Sequence, residues 1–245
     1  GCSNDTDAVA ATEEDAGVKD AGRDRTIPTP DDDEDLPEES CASKDPVDVS
    51  TVPYVKALKS PGACTKDEVK ALTKFYSEQD PNNVSVEEWA GTVSDTCAAC
   101  VFTPTDADAW GPLLVEGDTF TAANRGGCVE IASENEACGR AYEQALRCVI
   151  LACLPTSQGG SGTCASQADF DACRSNPQAL FAGPCADAYA AVTNECGSAL
   201  TSSERACTPP SGARYIFEGT IPVHCGGEVE APDAGADAGD GGEDG

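Results

Sequence analysis

Apolar residues recur along the middle of the chain at helical spacing. In CTKDEVKALTKFY, Val69, Leu72 and Tyr76 fall on one face, and Thr65 with Glu68 three residues later has the form of a capping box. SVEEWAGTVSDTCAAC repeats the device with Ser85 and Glu88, and its apolar positions Val86, Trp89, Val93, Cys97 and Cys100 follow at steps of 3, 4, 4 and 3. A single helix ending in its two cysteines is predicted there. A third helix is predicted over 135–154 with Ala141, Ala145, Cys148 and Ala152 inward, and a short fourth over 166–174, where Ser166 and Asp169 can cap. A fifth begins at Pro184, ends before Gly197 and carries Cys185, Tyr189, Val192 and Cys196 on one stripe.

Strand patterns are few. LLVEGDTFTA (113–122) and ARYIFEGTIPV (213–223) each place a glycine turn between β-favouring residues and are expected to pair as a small sheet. Cysteine spacing adds a constraint between helices. Cys185 and Cys196 are eleven residues apart, close to three turns or about 16 Å of axis, and Cys138 and Cys148 are ten apart. Two antiparallel helices stapled at both ends, Cys138 to Cys196 and Cys148 to Cys185, fit that match.

The flanks lack such periodicity. Residues 1–48 hold 16 acids against 4 bases, including DDDEDLPEES, and residues 228–245 hold 7 acids and no base, with a DAG idiom in both. Such segments bury too little apolar surface to offset chain entropy. The expected organisation is a disordered acidic tether over 1–49, a domain over 50–227 and a disordered tail over 228–245. The fold class expected is mainly α: a small, disulfide-stapled domain of about five helices with at most a minor β-hairpin.

A net charge of -29 excludes a nucleic-acid partner, since polyphosphate binding needs a basic face. The acidic tails suit weak calcium binding. The longest apolar run, CVILACL (148–154), is far shorter than the roughly 20 residues of a membrane span. Fifteen cysteines, one histidine and one CxxC fit a disulfide framework in an oxidising compartment better than metal sites. The structural set is Cys41, Cys64, Cys97, Cys100, Cys128, Cys138, Cys148, Cys153, Cys164, Cys173, Cys185, Cys196, Cys207 and Cys225, which leaves Cys2 over.

Gly1-Cys2 resembles the end of a bacterial lipobox, with Cys2 the lipidated residue once Gly1 is cleaved away and Ser3 suited to an outer membrane. The absence of any methionine fits a removed leader. The expectation is a membrane attachment through the acyl group on Cys2, with an outer-membrane, cell-surface or secreted location. A free or dimerising thiol at Cys2 is the alternative.

Catalytic candidates are sparse. His224, the one possible base of a Ser-His-Asp triad, is expected to be partly exposed beside a disulfide, and no G-x-S-x-G elbow occurs. Cys97 and Cys100 form the spacing of a redox pair, but at the end of a helix the dipole disfavours a thiolate. Glu87 with Glu88, Asp106 with Asp108, and Glu116 with Asp118 offer carboxylate pairs of the kind a glycosidase needs. DADAWGPLLVEGD (106–118) has the first acids of a calcium loop but Gly117 at the bidentate position, which excludes an EF-hand and leaves a looser site open. The core is the expected place of both Trp89 and Trp110, and Trp110, in a loop before Gly111-Pro112, is also a candidate exposed contact residue or lid. No cofactor or metal ligand set is expected.

The order Trp89, CAACVFTPTDADAWGP (97–112), NRGGC (124–128), ACGRAYEQALRCVILAC (137–153), CADAYAAVTNEC (185–196) and HCGG (224–227) resembles secreted cysteine-rich proteins numerous in myxobacteria and their relatives. The glycine-rich SQGGSG between Cys153 and Cys164 departs from them. The resemblance implies an exported or lipid-anchored surface protein and carries over no catalytic residue. A non-catalytic protein binding a surface or extracellular ligand is the function expected, with a carboxylate hydrolase or a CxxC redox protein as alternatives.

Overall fold

The computed structural model describes residues 40–79, 84–209 and 215–226. In chain order they form α1 (Lys66–Ser77), α2 (Val86–Ala90), α3 (Asp95–Val101), β1 (Phe102–Pro104), β2 (Leu113–Glu116), β3 (Thr119–Ala123), α4 (Arg125–Ser133), α5 (Glu136–Cys153), α6 (Gln167–Arg174), α7 (Pro177–Ala182), α8 (Ala186–Cys196), α9 (Leu200–Cys207) and α10 (Phe217–Cys225). The mainly α class holds, with a three-stranded sheet in which β1 runs parallel and β3 antiparallel to the central β2.

Caps set the predicted helix starts. The Glu68 amide donates to Thr65 Oγ1 at 3.2 Å while the Thr65 amide donates to Glu68 Oε2 at 2.8 Å, and Ser166 and Asp169 make the same reciprocal pair. Asn135 accepts from the Ala137 and Cys138 amides and opens α5. The helix predicted across 85–100 is instead two. α2 stops at Gly91, and Ser94 supplies a new cap for α3, accepting from the Cys97 amide. Cys97 therefore lies in the first turn of its helix rather than at its end.

Among the described residues the pairing predicted between 113–122 and 213–223 does not form. β2 folds back on β3 within 113–123, and Phe217–Cys225 is helix. Phe217, Ile221 and Cys225, at steps of four, all turn inward with Pro222 inside the helix. Burial of that stripe outweighs the β preference of its Phe, Thr, Ile and Val residues. The folded part also reaches back beyond the expected boundary at 49/50. Ala42 is buried, the Ser43 amide donates to the Ala152 carbonyl at 2.7 Å and the Val47 amide to the Pro184 carbonyl at 2.9 Å.

Two apolar clusters result. One gathers α4 to α9 around Tyr142, Leu180 and Val192, and the other gathers α1, α2, α3, β2 and α10 around Leu72, Trp89 and Ile221. Five bridges serve the first cluster: Cys41–Cys164, Cys128–Cys207, Cys138–Cys196, Cys148–Cys185 and Cys153–Cys173. Cys64–Cys97 and Cys100–Cys225 serve the second. The two staples expected between antiparallel helices are both present, joining α5 to Cys185 and Cys196 at the ends of α8. Among the described residues no bridge joins the clusters.

Their seam is partly apolar, where α10 packs on α4 and α9 with Val223 against the first cluster, and partly polar. Residues 56–58 pair with Trp110, through Leu58 N–H to the Trp110 carbonyl at 2.7 Å and Trp110 N–H to the Lys56 carbonyl at 2.9 Å. Glu130 of α4 accepts from the Tyr54 hydroxyl at 2.7 Å and from the Ala57 amide at 2.9 Å through one carboxylate oxygen.

Candidate binding surface

The second cluster is aromatic to an unusual degree for a chain with 5% aromatic residues. α2 supplies Trp89, whose indole N–H donates to the Leu72 carbonyl at 2.9 Å, and α10 supplies Phe217; both are buried. Around this pair stand Tyr76 at the end of α1, Phe102 of β1, Phe120 of β3 and Tyr215 just before α10, all half-buried. Ring centroids lie 4.9 Å apart for Tyr76 and Trp89, 4.8 Å for Tyr76 and Tyr215, 5.1 Å for Trp89 and Phe102, and 5.9 Å for Trp89 and Phe120. Most meet edge to face, the arrangement the ring quadrupole favours, while Tyr215 and Phe217 stack.

The supports of this face are covalent. Cys64–Cys97 ties the start of α1 to α3, and Cys100–Cys225 ties α3 to the end of α10. The Cys64 amide donates to the Cys225 carbonyl at 2.8 Å, and Glu218 Oε1 accepts from the Tyr215 amide at 2.9 Å. Burial, helped by Tyr215 nearby, pushes the Tyr76 phenol above its ordinary range, so its hydroxyl stays protonated at neutral pH. The arrangement offers flat apolar rings with phenol edges on a pre-ordered base, which lowers the entropy lost on binding.

Other sequence candidates fall elsewhere. Trp110 is not an exposed contact residue: it is 7% exposed, and its indole N–H donates to the Thr105 carbonyl at 3.1 Å. His224 is not partly exposed but fully buried, with Nδ1 2.8 Å from the Leu58 carbonyl. Burial lowers its pKa to about 4 despite that carbonyl, so the ring is neutral and donates from Nδ1. Cys97 and Cys100 are bonded to different partners and not to each other, which removes the dithiol geometry a CxxC redox centre needs.

The carboxylate pairs Glu87 with Glu88, Asp106 with Asp108 and Glu116 with Asp118 are all exposed. Asp118 caps α2: its Oδ1 accepts from the Glu87 amide at 2.7 Å and the Ser85 hydroxyl at 3.2 Å, bonds that hold its carboxyl below the usual range. A general acid needs the opposite shift. One close group of potential metal ligands, Cys41, Cys164 and Cys173, is committed to bridges. Cys2 and the acidic tails, with the lipid and calcium expectations attached to them, lie outside the described residues.

Tyr76 and Trp89 were legible as stripe residues, but Phe120, Tyr215 and Phe217 sat on expected strands. The steps of four from Phe217 to Cys225 were the signal that places the last of these beside Trp89.

Seven bridges and a mainly helical core define a disulfide-stapled protein of extracellular, non-cytoplasmic type. No described helix is long and apolar enough to cross a membrane. No protein-family model, curated protein or solved structure matches the chain.

Proposed function

We propose that the chain is a non-catalytic surface protein, a binding or scaffold module anchored outside the cytoplasm through an acyl group on Cys2. Its ligand contacts are made by Tyr76, Phe102, Phe120 and Tyr215. The observation that carries this reading is the half-exposed ring of aromatics on a buried base cross-linked by Cys64–Cys97 and Cys100–Cys225. Tyrosines so held combine large contact area with a polar edge, the character of interface anchors. The Gly1-Cys2 lipobox resemblance and the likeness to exported cysteine-rich proteins of myxobacteria support the location.

The test compares the full chain with a Tyr76→Ser/Tyr215→Ser variant by calorimetric titration against envelope polysaccharides and peptides, with turnover followed in parallel. The expected result is binding without turnover, weakened about tenfold or more in the variant. Turnover of any of these ligands, or affinity indifferent to both tyrosines, overturns the reading.

A further inference from the structure

Three cysteine sulfurs, those of Cys41, Cys164 and Cys173, lie within 4.8 Å of one another, and they belong to two different bridges, Cys41–Cys164 and Cys153–Cys173. Exposure is unequal. Cys41 is half-buried, whereas Cys153, Cys164 and Cys173 are buried. The Cys41 sulfur also lies 3.6 Å from the Asp169 carbonyl, on the same helix that carries Cys173. The outer bridge thus ties the N-terminal arm to the loop before α6, and the inner bridge ties α6 to the end of α5.

We propose that these two bridges form one thiol–disulfide exchange site, which accepts a low-molecular-weight thiol on Cys41 and passes the opened bond inward. Exchange proceeds by attack of a thiolate on a disulfide sulfur, and access selects the sulfur attacked. The external thiolate bonds to the Cys41 sulfur, the Cys41–Cys164 bond breaks, and its electron pair leaves on Cys164. The Cys164 thiolate then bonds to the Cys173 sulfur, and the Cys153–Cys173 bond breaks with its electron pair on Cys153. Cys153 is fully buried in apolar surroundings, which favours the neutral thiol, so it ends with the proton of the incoming thiol. Two sulfur–sulfur bonds exist before and two after, and no further oxidant or reductant enters.

The product carries the thiol as a mixed disulfide on Cys41 and a new bridge, Cys164–Cys173. Residues 40–46 lose their covalent hold on the domain, keeping only contacts such as the Thr163 amide to the Cys41 carbonyl at 2.8 Å and the Ser43 amide to the Ala152 carbonyl. The site is a thiol-responsive latch on the arm that leads to the N-terminus.

The experiment treats the native full chain with reduced glutathione, traps free thiols with N-ethylmaleimide and maps peptides after chymotrypsin, which cuts after Leu151 and Phe170 and puts Cys173 on a peptide of its own, while fragmentation of the 152–170 peptide between Cys153 and Cys164 tells which of these two carries the label. Expected are glutathione on Cys41, maleimide on Cys153 and a Cys164–Cys173 cross-link. Maleimide on Cys164 with Cys153–Cys173 intact, no adduct at all, or opening of another bridge first overturns the proposal. A Cys41→Ser variant gives the second measurement: without any added thiol it should carry its free thiol on Cys153, and a free thiol retained on Cys164 counts against exchange.

Discussion

Gly126 and Gly139 meet where α4 crosses α5: a Cβ built on Gly126 would stand 2.7 Å from the Gly139 carbonyl oxygen, and one on Gly139 would stand 2.6 Å from the Gly126 carbonyl oxygen. Beside these stand Glu143 Cβ at 2.6 Å from the first, and Glu130 Cβ at 2.6 Å and the Tyr54 hydroxyl at 2.5 Å from the second. Backbone and Cβ atoms cannot rotate away. Gly126→Ala or Gly139→Ala should therefore lower stability by about 1–3 kcal/mol, the usual cost of overpacking. Urea unfolding followed by circular dichroism measures it, and wild-type midpoints for both variants would show that the helices do not approach this closely.

Glu130 is the second prediction. Its Oε2 is shared by the Tyr54 hydroxyl and the Ala57 amide, so Glu130→Ala strands two donors at the seam and should cost about 2 kcal/mol. Burial first, and then the bond to Glu130, push the Tyr54 phenol above the ordinary tyrosine range. Absorbance titration of Glu130→Gln should move one tyrosine back toward ordinary ionisation; an unchanged titration curve would refute the linkage.

His224 makes stability depend on pH. Its folded pKa of about 4 lies below the ordinary 6.5, so between these values the unfolded chain binds a proton that the folded chain does not. Stability is full above about pH 6.5 and falls as pH drops toward 4, by about 3 kcal/mol in all if the shift is fully expressed. Glu68 acts in a separate, more acid window. Hydrogen bonds, first from the Ser94 hydroxyl and then from the Thr65 amide, hold its carboxyl at about 2, so its contribution is present above the ordinary 4.5 and is lost below it. Unfolding at pH 7, 5.5 and 4 for the wild type and His224→Asn separates them. The asparagine amide stands where Nδ1 does, keeps a donor for the Leu58 carbonyl and should lose the upper slope, whereas equal slopes in the two proteins would assign it to other groups.

The bridges give a chemical prediction. Peptide mapping without reduction should link Cys97 to Cys64 and Cys100 to Cys225, and a Cys97–Cys100 bond would contradict the fold. Replacing Cys138 and Cys196 together by alanine should remove about 2–4 kcal/mol and leave α5 and α8 held by Cys148–Cys185 alone. Thermal melting of the double variant reads this directly.

Local chemistry was enough to place α1, α5, α6 and α8, because the first three start at side chains bonding amides within three residues, α8 stops at Gly197, and the stripes of all four repeat at the helical period. It was also enough for two bridges, since Cys138 with Cys148 and Cys185 with Cys196 repeat at matching rises along two helices. Residues 86–100 show where that reasoning stops: the stripe runs straight through Gly91, yet the helix breaks, because Ser94 recaps the chain and turns Cys97 toward Cys64. Nothing within 213–225 makes Phe217 a neighbour of Trp89 or buries His224. Those outcomes, the aromatic face and the other five bridges depend on which surfaces meet across long stretches of chain. Burial and covalent closure, which act between segments, decided them, and propensity within a segment was too weak to resist.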